Sequence, residues 1–461
     1  MKYFLVICSL IISAIADNRP NIIFMMADDQ GWDGLSVQMH PEIKESKHSY
    51  IQTPVLEKMA KEGMRFSSAY APSPVCSPTR ISLQTGKSPA ALHWTKAAKS
   101  ISGSHNFKLL PPRNIKALSE SETTIGEILQ KAGYKTAHFG KWHINGGGPG
   151  KHGYDFHDGD IGNEYAFNYK DPNPADIYGM AKRACNFMES AKKDGKPFFI
   201  QMSFHALHAP QNAMKDSIQK YEKLATKGNE KEIGRAALSE NLDTGVGIVL
   251  KHLNKLGLDK KTYVIYMSDN GAGGKKGILR GGKGDAWEGG IRSPMIVRGP
   301  GIKENSWCHQ RVVGYDWYPT FCHWAGVENL PQGLEGGDLS KVLKDPLEGK
   351  VIRPRNELVF HFPHYQGDTP HTALISGNWK LIKFYETNEF RLFNLGNDIS
   401  EKNNLASIKP EVTASLKEKM ITYLNEVNAQ MPSKNPDYDP NKESTPLKGK
   451  KGNKKDKKKK K

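Results

Sequence analysis

Cysteine is scarce in this chain, and so is uninterrupted apolar sequence. Five cysteines in 461 residues are too few for a disulfide framework, so a hydrophobic core must carry the fold. The one continuous apolar stretch, Tyr3 to Ala14 behind Lys2, is too short to cross a bilayer, and no transmembrane segment is expected. With the small-residue site Ala14-Ile15-Ala16 before Asp17, residues 1–16 read as a secretory signal, which makes the mature chain secreted or periplasmic. Cleavage there removes Cys8 and leaves Cys76, Cys185, Cys308 and Cys322. One bridge between Cys308 and Cys322 is compatible with an oxidising compartment.

Internal repeats are absent, and low complexity is confined to the C-terminus. Acidic residues are outnumbered 49 to 66, for a net charge of +17. Lys442 to Lys461 hold eleven lysines against Glu443 and Asp456, which is +9, so residues 1–441 carry only +8. A charge gathered in a terminal run argues against a nucleic-acid-binding fold and predicts a disordered Lys-rich tail over 432–461.

The rest of the chain is long enough for two or three folded units. Four apolar runs are each followed by a polar cluster. Ile22 to Met26 leads to Asp28-Asp29, Tyr263 to Met267 to Asp269-Asn270-Gly271, Phe198 to Met202 toward His205 and His208, and Lys135 to Phe139 to Gly140-Lys141-Trp142-His143. Helical patterns lie between them. One has Thr53 as N-cap and Pro54 at its first position, one opens with the capping box Thr124 and Glu127, and one carries Leu238, Leu242, Val246, Val249 and Leu253 on a single face. The alternation predicts an α/β fold, a large mostly parallel sheet sandwiched by helices over 17–345. Short strands near 358–362, 372–376, 381–385 and 391–394, then a helix near 410–425, predict a smaller antiparallel sheet plus helix over 346–431. Ligands of open α/β sheets bind beyond the carboxyl ends of the strands, so the four polar clusters are expected to converge on one crevice.

Asp28, Asp29, Asp269 and Asn270 are hard oxygen donors with no zinc-like Cys or His spacing. Such a set suits Ca²⁺, with Mg²⁺ as the alternative. Each pair alone reads as readily as a turn. In Pro74-Val75-Cys76-Ser77-Pro78-Thr79-Arg80 a loop enters a helix at Cys76, where positive potential favours a thiolate and nearby anions. The run Gly277 to Lys283 imitates the start of a P-loop, but Gly284 stands where the Mg²⁺-binding hydroxyl belongs, which excludes that reading.

Cys76-Ser77-Pro78-Thr79-Arg80 with Thr85-Gly86 resembles the Cys-x-Pro-x-Arg signature of the type I, formylglycine-dependent sulfatases of the alkaline-phosphatase superfold. Asn21 to Phe24 leading to Asp28-Asp29, Gly140 to His143, His208-Ala209-Pro210, Ser268 to Gly271, Gly282-Lys283-Gly284, Glu288 to Arg292, Trp379 to Ile382 and Leu392 to Leu395 resemble that family's blocks in its order.

The resemblance implies that a formylglycine-generating enzyme oxidises Cys76 to formylglycine (3-oxoalanine). One hydroxyl of its hydrate attacks sulfur and the other later expels sulfate, which spares a hindered ester from attack by water. It also implies Ca²⁺ at Asp28, Asp29, Asp269 and Asn270, bound to the nucleophilic hydroxyl of position 76 and to a sulfate oxygen. Arg80 and Lys141 would steady the hydrate, His143 would act as the base near its ordinary titration range, and His208 and Lys283 would bind sulfate and help protonate the leaving alcohol.

The expected activity is sulfuric ester hydrolysis on a sulfated carbohydrate. The alternatives are a phosphoester hydrolase of the same superfold and a non-catalytic binder of sulfated glycans. His205 is either a further sulfate contact or a structural histidine, and His93-Trp94 with His361 to His364 are weaker candidates for the substrate mouth. The tail either attracts sulfated polysaccharide or an anionic surface, the favoured reading, or serves solubility.

Overall fold

The computed structural model describes residues 17–97, 106–225, 229–272 and 277–442. The expected signal over 1–16 and the lysine run beyond 442 lie outside the described residues. Eight strands form the main sheet in the order 306–308, 64–66, 295–298, 262–268, 21–27, 198–203, 135–140 and 156–157. Asn21–Ala27 lies at its centre, parallel to Phe198–Ser203 on one side and Thr262–Ser268 on the other. Lys135–Gly140 runs parallel to Phe198–Ser203, while Met295–Arg298 is antiparallel to both of its neighbours. All seven residues of Asn21–Ala27 are buried, as expected for a strand covered on both faces.

Helices Ile177–Lys193 and Glu230–Lys255 cover one face, with Met180, Leu242, Val246 and Val249 packed against Met25 and Ile200. Helices Cys76–Thr85, Ile125–Lys131 and Trp317–Trp324 cover the other, where Ile81, Ile128, Trp317 and Phe321 meet Phe24 and Phe199. Each fully buried Leu, Val or Phe here contributes about 1.5–3 kcal/mol relative to exposure. The capping box of Thr124 and Glu127 is present. At Pro54–Lys61 the expected cap differs. Thr53 makes no side-chain cap, and the carboxylate of Asp243 instead accepts from the N–H groups of Val55 at 2.9 Å and Leu56 at 2.8 Å. A residue nearly two hundred positions away does the capping, which no local pattern reveals.

A second sheet is antiparallel, with strands Leu358–Phe362, His371–Ser376, Trp379–Phe384 and Phe390–Asn394 in sequential order. Helix Pro410–Glu426 packs on one face through Leu416, Met420 and Tyr423. The other face, with Phe360, Ile382 and Phe393, packs on Tyr70, Trp287 and Ile291, behind the carboxyl ends of the main sheet's strands.

Two expectations are corrected. Cys308 and Cys322 are both buried free thiols, one on a strand and one on a helix, where they serve as small apolar residues. The tail does not begin at 432, because Ser433–Lys434 pair with Leu109–Leu110 and Asp439 N–H donates to Asn106 Oδ1 at 2.7 Å. Hydrogen bonds rather than apolar burial hold this stretch. Of the weaker candidates for the substrate mouth, Trp94, His361 and His364 are buried, and their ring nitrogens bond Lys96 O, Thr372 Oγ1 and Gln430 O, and Thr95 Oγ1 respectively. His93 Nε2 bonds Asn428 O.

Among the described residues, no helix is long and apolar enough to cross a membrane.

Candidate active site

Parallel pairing decides which polar residues meet. Ala27 lies opposite Ser268 in the ladder, so Asp28 and Asp29 leave the sheet beside Asp269 and Asn270. Ser203 lies opposite both Met26 and Gly140, which brings the His205–His208 loop and Lys141 alongside. Asp29 adopts a left-handed backbone, φ 63°, and its N–H donates to Asp269 Oδ1 at 3.1 Å.

Helix Cys76–Thr85 points its first turn into this crevice, and Gly86 at φ 69° ends it. Cys76 Sγ lies 3.3 Å from Asp28 Oδ1. Arg80, one turn on, donates from one nitrogen to Lys141 O at 2.6 Å and from the other to Asp269 Oδ2 at 2.7 Å. The Lys141 ammonium reaches Asp28 Oδ2 at 2.5 Å. Lys283 Nζ sits 2.8 Å from Asp29 Oδ2 and 3.4 Å from Cys76 Sγ.

Ligand atoms of Asp28, Asp29, Cys76 and Asp269 all lie within 4.8 Å of one another. The side-chain Nδ2 of Asn270 donates to Asp29 Oδ1 at 2.7 Å, whereas its side-chain Oδ1 is buried without a partner. An orphaned hard oxygen beside three buried carboxylates fits a divalent cation of the Ca²⁺ or Mg²⁺ type. Arg80, Lys141 and Lys283 already balance the three carboxylates. A divalent cation would therefore leave the crevice at about +2, a field suited to an anionic ester.

Electrostatics corrects the expectation for Cys76. Burial first, then Asp269 and Asp28, push its thiol far above the ordinary range and outweigh the helix N-terminus, so the encoded residue is not a thiolate. Asp28 is held well below the usual carboxylate range by Lys141 and Arg80, against the opposing effect of its burial. Burial and the charge of Asp28 push Asp269 up.

His143 has a left-handed backbone, φ 60°, and its Nδ1 lies 3.2 Å from Ser77 Oγ. Burial, then Lys141 and Arg80, lower it to about 2, so it is neutral rather than poised near the working pH. His208 is half-buried at the rim, with Nδ1 2.7 Å from Ala209 O, and bonds none of the other candidates through its side chain. His205 is buried with Nδ1 unpartnered. Ser77 is a contact that motif reading passed over, although it stands inside the Cys-Ser-Pro-Thr-Arg run itself.

The family model described as Sulfatase matches residues 20–327, and that of the C-terminal part of N-sulphoglucosamine sulphohydrolase matches 283–430. Similar relatives are N-acetylgalactosamine-6-sulfatase of Rattus norvegicus, 30% identical over 86% of this chain and 78% of its own length, and human arylsulfatase A, 26% identical over 87% and 86%. Among solved structures, Ps i-CgsB in complex with k-i-k-neocarrahexaose superposes with a TM-score of 0.73 at 23% identity, covering 91% of this chain and 94% of its own. The phosphonate monoester hydrolase of Agrobacterium radiobacter superposes with a TM-score of 0.64 at 16% identity, covering 89% and 96%. Fold alone thus does not separate sulfate from phosphorus chemistry, but the first family model spans most of the chain. The chain belongs to the sulfatase family and is a sulfatase.

Proposed function

We propose that this sulfatase hydrolyses an O-sulfate ester of a carbohydrate, with Cys76 matured to formylglycine by a separate enzyme and Ca²⁺ held by Asp28, Asp29, Asp269 and Asn270. The observation that carries the reading is the packing of Cys76 Sγ among three carboxylates within 4.8 Å, where the thiol itself is unsuited to ionise. Matured and hydrated, position 76 would supply two geminal hydroxyls, one to attack sulfur and one to expel sulfate, and the ion would supply charge stabilisation.

Arg80 and Lys141 keep positive charge beside position 76 while fixing Asp269 and Asp28. Lys283 bridges position 76 and Asp29, where it binds the sulfate of the substrate. Ser77 engages His143 Nδ1 and so leaves Nε2 to take the proton of the expelling hydroxyl. Burial and the neighbouring cations weaken this imidazole as a base, and a bound sulfate anion beside it would raise its affinity for that proton. His208, half-buried beside this site, would help protonate the leaving alcohol.

The carbohydrate class is supported by the N-acetylgalactosamine-6-sulfatase and neocarrahexaose names among the similar proteins. We also assign 17–345 to the catalytic unit, 346–431 to a C-terminal unit, and secretion to the leader. The test is turnover of the matured enzyme on a panel of defined sulfated saccharides with an aryl sulfate and an aryl phosphate. Sulfate release from a saccharide is expected. Turnover of the phosphate alone would favour the phosphoester reading, and binding without turnover the glycan-binding one.

A further inference from the structure

A buried ion cluster joins the C-terminal sheet to the segment that follows Lys283. Lys380, on strand Trp379–Phe384, is fully buried, and its ammonium lies 2.9 Å from Glu288 Oε1 and 2.8 Å from Glu401 Oε1. Glu288 Oε2 accepts from Arg292 at 2.7 Å and Tyr70 at 3.1 Å, and the Glu288 N–H donates to Glu401 Oε2 at 2.7 Å. Two carboxylates and two cations make the cluster neutral. A buried set of this kind gains little net stability over apolar packing, because each ion must be desolvated. Its geometric specificity is what apolar side chains would not reproduce.

The cluster grips the segment that carries Lys283. Besides Glu288, the Ala286 N–H donates to His371 Nε2 at 2.8 Å and Trp287 Nε1 donates to Asp368 Oδ2 at 3.1 Å, both acceptors belonging to the C-terminal part. On its other side the segment meets the catalytic loops. Gly284 N–H donates to Pro74 O at 2.9 Å, two residues before Cys76, and Gly290 O accepts from Gly271 N–H at 2.9 Å, beside Asn270. Lys283 is flanked by Gly282 and Gly284, the latter at φ +94°. A lysine between two glycines has no stiffness of its own, so its place depends on what holds the turn.

We propose that Lys380 and Glu401 are positioning residues for the sulfatase reaction, acting through Glu288 to set the Lys283 ammonium beside position 76 and Asp29. The inference rests on the reading that Lys283 binds the sulfate ester. Asp368 grips the same segment from a half-buried site, and its removal has a smaller effect in the same direction.

The experiment is a mutant cycle on the full-length matured enzyme, assayed on an aryl sulfate, with kcat, KM and thermal midpoint for every variant. Lys380→Met with Glu401→Gln removes one charge of each sign and is expected to lower kcat/KM about 10- to 100-fold. Combined with Lys283→Ala, the triple variant should fall no more than about twofold below Lys283→Ala alone, because residues acting through one another are not additive. Asp368→Ala provides the same cycle if the double variant fails to fold, with an expected loss of about three- to tenfold. Losses that multiply in the combined variant, or a folded double variant within about twofold of wild type, would overturn the positioning role. Full activity of Lys283→Ala would instead overturn the role of Lys283 itself, and this inference with it.

Discussion

The ammonium of Lys283 stands 3.4 Å from the sulfur of Cys76, although 207 positions separate the two in the chain. Lys283 also pairs with Asp29 at 2.8 Å, so one cation spans the proposed nucleophile and the proposed metal ligands. A cation so placed counters negative charge at the reacting centre, whichever oxygen bears it.

Ser77→Ala removes the contact that orients His143 and leaves position 76 intact. The expected outcome is a drop in kcat of about tenfold with little change in KM, since the base is misaligned rather than the sulfate site lost. Steady-state kinetics on an aryl sulfate checks it, and an unchanged kcat would remove Ser77 from the account.

Chelation followed by dialysis should abolish turnover, and added Ca²⁺ should restore it. The ion should also raise the thermal midpoint, by an amount equivalent to about 2.7 kcal/mol when it is present at a hundredfold excess over its Kd. In Asp269→Asn that increase should shrink. A midpoint indifferent to Ca²⁺ would deny the site its ion.

Asp243 supplies a pH test of stability. Burial raises its carboxyl to about 7, above the usual range near 3.8, against the lowering effect of the N–H groups of Val55 and Leu56. A raised folded-state pKa means that the folded chain binds the proton more tightly, so this group's contribution is full below about 3.8 and lost as the pH rises through 7. Asp243→Asn should therefore match wild type only at or below about pH 3.8 and gain in relative thermal midpoint as the pH rises to about 7. A variant that loses ground at high pH would show that the ionised carboxylate is the better cap for Pro54–Lys61.

Deleting residues 443–461 removes ten lysines against Glu443 and Asp456. The truncated enzyme should elute from a sulfated polysaccharide matrix at lower salt than the full chain, with unchanged kcat on a small aryl sulfate. Equal retention would leave the tail to solubility.

Much of this organisation was legible in the sequence because it is local. Each central strand is a short apolar run that ends on its polar cluster, and parallel strands must deliver such clusters to one edge. The five-residue run at Cys76 stands out by its own composition. What stayed hidden depends on distant partners. Asp243 capping Pro54–Lys61, Lys380 bridging Glu288 and Glu401, and Ser433–Lys434 pairing with Leu109–Leu110 join segments that share no pattern. The charge states of Cys76 and His143 are hidden for the same reason, since burial and neighbours from other loops outweigh a helix end or an intrinsic pKa.

The most direct test is peptide mass spectrometry across position 76 on preparations of differing maturation, set against their specific activity for sulfate release. Activity should rise in proportion to the aldehyde fraction and vanish in Cys76→Ser, which keeps the fold. Turnover in a preparation whose residue 76 is entirely thiol would contradict the account.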